Sequence, residues 1–239
     1  MTDQTASPAA RAVLREFIAF LRQPRILVPL NLRAEGQARR WAWLTLLLVF
    51  GLLAVLLPLI GAWQKAFNLP APNAFDGIGA AWLVPTVVLI APPIEELLFR
   101  GWQRGSASAL WLLACAVTAS AVLLTLTSPD KALLAAGLLL GALVATPIGW
   151  FVLRKRPAPL GWFARGFPVI FYLAAAVFAL FHLTNYPRVS LLAVPLVLPQ
   201  LWAALVLGYI RQRIGLPAGI LAHMVANACS IGLALATGG

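Results

Sequence analysis

The chain is poor in charge: 10% of its 239 residues are Asp, Glu, Lys or Arg, and only seven of those are acidic. A soluble domain carries roughly a quarter charged residues, so this composition excludes an ordinary water-soluble globule. Cysteine is almost absent. Cys115 and Cys229 stand alone in separate apolar runs, without disulfide, redox or metal spacing, and read as small packing residues. A secretory signal is also lacking, because Met1 to Pro8 is polar and the arginine-rich segment after it has no cleavage-like site. No His-Glu-x-x-His sequence occurs, and the histidines number two. What fills the chain is 62% hydrophobic residues. An integral membrane protein, all-α and built as one helix bundle, is the fold expected.

Seven apolar runs fall at about 41–62, 78–99, 107–127, 132–153, 167–186, 189–210 and 214–236. Each is close to the ~20 residues that cross the hydrocarbon core. Short connections leave no room for a soluble second domain. Ahead of them, residues 9–23 read as an amphipathic helix with Arg11, Arg15 and Arg22 on one face and Val13, Leu14, Phe17, Phe20 and Leu21 on the other, ended by Pro24. Such a helix is expected to lie on an anionic membrane surface. The organisation expected is an interfacial, cytoplasmic segment over 1–40 and a transmembrane domain over 41–239.

The net charge of +11 invites a nucleic-acid reading. Its distribution argues otherwise, because Lys and Arg lie between the apolar runs, where they set topology. With the N-terminus inside, 15 basic residues fall on the cytoplasmic side and three outside (Lys65, Lys131 and Arg188). This predicts seven spans with the N-terminus cytoplasmic and the C-terminus extracytoplasmic.

Glu95 and Glu96 are the only acidic residues inside an apolar run, and burying carboxylates at membrane depth is expensive. Neighbouring helical residues point about 100° apart, so the two are not expected to share a partner. Glu96 and Arg100 are four apart in the order favoured for an ion pair. That leaves Glu95 without a local partner and available as a general base. Pro92-Pro93 breaks the helix or begins a new one, placing Glu95 in a first turn. The plainer alternative is that both glutamates only hold helices together.

Both histidines also lie in apolar runs. Phe178, His182 and Asn185 share one side of a helix, as do His223 and Asn227. For each group alone, interhelical hydrogen bonding is the competing explanation. Together, three spans contribute residue types that fit a base, an orienting group and oxyanion donors.

Pro93-x-Glu95-Glu96-x-x-Phe99-Arg100-Gly101, then Phe178-x-x-x-His182, then His223-x-x-x-Asn227 resembles the CPBP family (CAAX protease and bacteriocin-processing, also called Abi), which includes the type II CAAX prenyl endopeptidases. Its three motifs are complete and in order over about 91–228, and Gly219-Ile220-Leu221-Ala222 matches the usual lead-in to the third. The resemblance implies intramembrane peptide-bond hydrolysis. Glu95 and His182 would hold and activate water, His223 and Asn227 would stabilise the oxyanion, and Glu96, Arg100 and Phe178 would support the site. It implies a metal-free, glutamate-dependent hydrolase. Residue types alone leave a zinc site of Glu95, His182 and His223 open.

Compared with many bacterial members, the interval between the first two motifs holds about two extra spans, so 107–153 reads as an added helix pair. Residue counting at ~1.5 Å per residue puts Glu95 near the cytoplasmic end of its span and His182 past the middle of another. The partners expected are membrane lipids and a membrane-associated or lipidated peptide, with no nucleic acid. The Ala-, Leu- and Arg-rich composition points to a bacterial cytoplasmic membrane. The competing functions are a non-catalytic scaffold or bacteriocin self-immunity factor of the same fold, and a proton-coupled carrier. No inverted repeat is visible to favour the carrier.

Overall fold

The structure is a computed structural model that describes residues 9–74, 76–126, 128–156 and 158–237. The polar start of the chain, Met1 to Pro8, lies outside the described residues. Among the described residues the regular elements are all helical, and seven helices are long and apolar enough to cross a membrane. They follow a short first helix α1 (Ala10–Arg22). In chain order they are α2 (Gln37–Ala66), α3 (Ala81–Arg100), α4 (Ala107–Thr125), α5 (Pro129–Leu153), α6 (Gly161–Asn185), α7 (Leu191–Arg213) and α8 (Leu216–Thr237). The seven-span bundle expected from hydropathy is present, with boundaries shifted by a few residues.

Helix α1 forms as its periodicity predicts, but its apolar stripe does not face lipid. Val13, Phe17 and Phe20 are buried. Phe17 packs against Tyr209 at 5.5 Å and Phe20 against Phe171 at 5.1 Å between ring centroids. Glu16 fixes the register by pairing with Arg40 of α2 and, at 3.6 Å, with Arg213 of α7. Protein aromatics outcompete the membrane surface for this stripe because α7 and α6 offer a packed aromatic wall. Leu14 and Ile18 stay exposed beside it.

The core runs along the inner face of α6. Phe163, Phe167 and Phe171 recur every four residues and are all buried. They stack on one another and meet α7, where Gly208 leaves room for the Phe171 ring. Two helices carry wide, five-residue-spaced turns, Gly51–Leu56 in α2 and Pro85–Ile90 in α3. The second lies directly before Ala91–Arg100, the segment that carries the acidic pair. The break expected at Pro92-Pro93 is therefore taken up as a widened turn in a continuous span.

Candidate active site

The polar centre is built from α3, α6 and α8. Glu96 is fully buried and Arg100 is 2% exposed. The two are paired across one helical turn, as their spacing predicts. The same Glu96 oxygen, Oε1, also accepts a hydrogen bond from His223 Nδ1 at 2.9 Å. An isolated carboxylate at this depth would be prohibitive, and here it is shared between a guanidinium and an imidazole. Helix α8 can approach because Gly219 has no side chain: a Cβ there would stand 3.3 Å from Glu96 Oε2.

Arg100 is held from two further sides. Its guanidinium lies 4.5 Å from the centre of the Phe178 ring. Its backbone carbonyl accepts a hydrogen bond from Arg211 Nε at 2.9 Å. Phe178 also holds His182, whose Nδ1 lies 2.8 Å from the Phe178 carbonyl. One residue of the second motif thus supports both a cation of the first motif and a histidine of its own.

These contacts assign the imidazole protons. A backbone carbonyl and a doubly engaged carboxylate only accept, so each Nδ1 carries the hydrogen and each Nε2 is left with its lone pair. Both Nε2 atoms turn toward Glu95. Glu95 Oε2 lies 4.0 Å from His182 Nε2 and 3.8 Å from His223 Nε2. That oxygen is buried and has no hydrogen-bond partner among the described residues. Three acceptors face one another across gaps too long for direct bonds, which is the geometry of a slot for a donor such as water.

His223 therefore faces both glutamates, bonded to Glu96 through Nδ1 and turning Nε2 toward Glu95 at 3.8 Å. The 100° step between Glu95 and Glu96 does separate their side chains, but a single imidazole is wide enough to face both. Residue counting also placed Glu95 and His182 at different depths, whereas the fold brings them together. Phe99 meets Phe178 at 5.0 Å while Trp102 meets Phe163 at 6.0 Å, contacts that draw the acidic segment along α6 toward its far end.

Asn227 follows from the prolines of α3. Pro92 has no N–H, and in a turn of five-residue spacing the carbonyl left unpaired is that of Val87. Asn227 Nδ2 donates to that carbonyl at 2.9 Å. Its second N–H and its carbonyl oxygen remain for the cavity. Glu95, His182, His223 and Asn227 all line one cavity of about 490 Å³, with Asn185 and Phe178 also in its wall.

The cavity includes groups that the sequence motifs do not contain. Gln200 of α7 lines it, and Gln200 Oε1 is buried without a partner. The sequence signal for it is an amide inside the apolar run 189–210, which no part of the three motifs includes. Tyr186 also lines the cavity and brings a phenol O–H. Arg211 is a different case: in sequence it is one of many basic residues at a span end, and only the fold shows it gripping α3.

A zinc ion is the alternative occupant of this centre. The donor types fit, two imidazole nitrogens and a carboxylate. The arrangement fits less well, because no group of three or more His, Cys, Asp or Glu side chains is placed to hold a metal among the described residues.

A helical bundle with a Glu-His centre lining an internal cavity is a polytopic membrane protein with a candidate active site. The comparison with protein families narrows it: residues 77–229 match the family described as type II CAAX prenyl endopeptidase Rce1-like, and the chain belongs to that family. It is thereby a multi-pass membrane protein of the endopeptidase class, acting where lipids and membrane-associated substrates meet. No curated protein and no solved structure matches the chain.

Proposed function

We propose that the protein is an intramembrane endopeptidase whose nucleophile is a water held between Glu95, His182 and His223. The observation that carries this reading is the unpartnered Glu95 Oε2 facing two imidazole lone pairs in one cavity. Water in that slot donates one proton to Glu95 and the other to His182 Nε2. Glu95 takes its proton as the oxygen attacks the peptide carbonyl, and the C–O bond forms. The free N–H of Asn227 stabilises the oxyanion, and His223, fixed by Glu96 at Nδ1, forms the remaining wall of the water slot. Collapse breaks the C–N bond, with Glu95 returning the proton to the leaving amine.

The substrate is a membrane-associated or lipidated peptide that enters between helices. Apolar residues such as Leu52, Leu57, Ile60 and Leu196 form much of the cavity wall and suit an acyl or isoprenoid chain. The charge count supports a cytoplasmic N-terminus and an extracytoplasmic C-terminus, and the Ala-, Leu- and Arg-rich composition suits a bacterial membrane. The site is read as metal-free. Were zinc bound, Glu95, His182 and His223 would hold it and it would supply an activated water.

The test is cleavage of a fluorogenic lipopeptide panel by purified protein. Glu95→Ala is expected to lower kcat by about 10²–10⁴-fold, the range for removing a general base. His182→Ala and His223→Ala should fall in the same direction, and chelator should leave wild type unchanged. Loss of activity with chelator, restored by zinc, would establish the metallo-form instead. Full cleavage by Glu95→Ala would end the glutamate mechanism.

A further inference from the structure

Arg211 is 5% exposed and forms no ion pair among the described residues. Arg100, equally buried, has Glu96. Arg211 has only backbone carbonyls, those of Arg100 at 2.9 Å and Gly101 at 3.5 Å, reached through Nε and Nη2. Its Nη1 makes no hydrogen bond among the described residues. A guanidinium taken out of water without a counter-charge is costly. The nearby carboxylate of Glu96 is already committed to Arg100 and His223.

Arg211 lines a separate cavity of about 330 Å³, and Arg104 lines it too. Arg104 likewise has no carboxylate partner among the described residues, and no acidic residue lines the cavity. The start of α8, Leu216 to Ala218, lines the same cavity. There the first-turn amides of Leu216 and Ala218 carry no hydrogen bond to a carbonyl, while the next, Gly219 N–H, bonds to Gly215. The loop before α2 closes the remaining side. It is pinned by Leu30 N–H to the Arg213 carbonyl and Asn31 N–H to the Ile214 carbonyl, both at 3.1 Å.

Two unpaired guanidiniums and a helix N-terminus around one pocket are the recognition chemistry of a phosphate group. We propose that this pocket binds an anionic phosphate, separate from the cavity that holds Glu95. It lies at the end of the bundle where α3 and α7 finish and α8 begins, the level at which lipid head groups sit. An anionic phospholipid and a free phosphate anion share this chemistry. Because Arg211 also grips the Arg100 and Gly101 carbonyls, occupancy orders the C-terminal end of the acidic helix. The proposal stands whether or not the protein cleaves peptides.

The test is thermal unfolding and native mass spectrometry of the detergent-solubilised full chain, titrated separately with phosphatidylglycerol, phosphatidylcholine and inorganic phosphate. The variants are Arg104→Gln, Arg211→Gln and, as a control elsewhere on the surface, Arg39→Gln. Phosphatidylglycerol is expected to bind and raise Tm, phosphatidylcholine to do so at least tenfold more weakly, and Arg104→Gln to weaken phosphatidylglycerol about tenfold. Arg211→Gln should weaken it further. Since that variant also loses the brace on α3, Arg104→Gln carries the decision. A response to inorganic phosphate that depends on Arg104 supports the site and names free anion as its ligand. Equal losses in Arg104→Gln and Arg39→Gln, or no Arg104-dependent response to either anion, would overturn it.

Discussion

The seven spans invest their residues very differently. In α7 and α8, 44% and 28% of the most apolar window is buried inside the protein, against 11% in α4 and none in α5 among the described residues. The centre around Glu96 joins three helices through charge, ring faces and backbone carbonyls. The α4–α5 pair is joined chiefly to itself, through the Trp111 indole N–H shared between the Ala145 and Thr146 carbonyls and packed over Gly149. Both regions are helical and apolar enough to span a bilayer, so hydropathy alone makes them look alike. Buried polar groups tell them apart, because an unsatisfied one is costly in lipid and so demands a specific partner.

The largest expected effect comes from breaking the charge network. Arg100→Leu removes the cation from the fully buried Glu96 and from the Phe178 ring. Breaking a buried pair by deleting one partner costs about 3–5 kcal/mol. The variant should unfold at much lower temperature in detergent and lose all lipopeptide cleavage. A Tm within a degree or two of wild type would show that the pair is not holding the three helices together.

A smaller effect tests the approach of α8. Gly219→Val places a branched side chain where even a Cβ stands 3.3 Å from Glu96 Oε2. Helix α8 must retreat, which moves His223 away from Glu96 and Glu95. Cleavage should fall about tenfold, or ~1.4 kcal/mol of barrier, mostly in kcat, with modest loss of stability. Gly219→Ala should cost less, because a neighbouring side chain can yield a few tenths of an ångström. If Gly219→Val lowers stability but leaves kcat unchanged, the glycine serves packing and not the placement of His223.

Much of this centre was legible in the chain. Apolar runs of span length gave the helices, and rare polar residues inside them gave Glu95, Glu96, His182, His223 and Asn227. Helical spacing gave the Glu96–Arg100 pair. Relations between helices were not legible. That His223 faces both glutamates depends on how closely α8 approaches, and that Asn227 serves the Val87 carbonyl depends on a widened turn before Pro92. The stripe of α1 shows the limit of periodicity: the pattern defines an apolar face but does not say whether lipid or protein will cover it. Arg211 shows the converse, a residue whose charge suggested topology and whose burial reveals a brace.

The least disruptive change should be the removal of a whole region. Leu160 N–H donates to the Gly105 carbonyl at 2.9 Å, and Ser106 and Pro159 form an isolated bridge beside it. The chain thus leaves for α4 and returns from α5 at nearly the same point. Val122 is the one buried residue of α4. Neither helix supplies a wall of the Glu95 cavity. We read 107–153 as a helix pair added to a bundle complete without it. Excision of 107–158, with a short Gly-Ser linker joining Ser106 to Pro159, should leave cleavage within about threefold and unfolding within a few degrees of wild type, since surface changes away from buried networks are usually small. Gly105 must be kept, because its φ of +67° and the Phe163 ring against it leave no room for a side chain. A loss of cleavage beyond tenfold in a folded excision variant would mean that the pair shapes substrate entry, and the contrast between the two regions would then be one of role and not of dispensability.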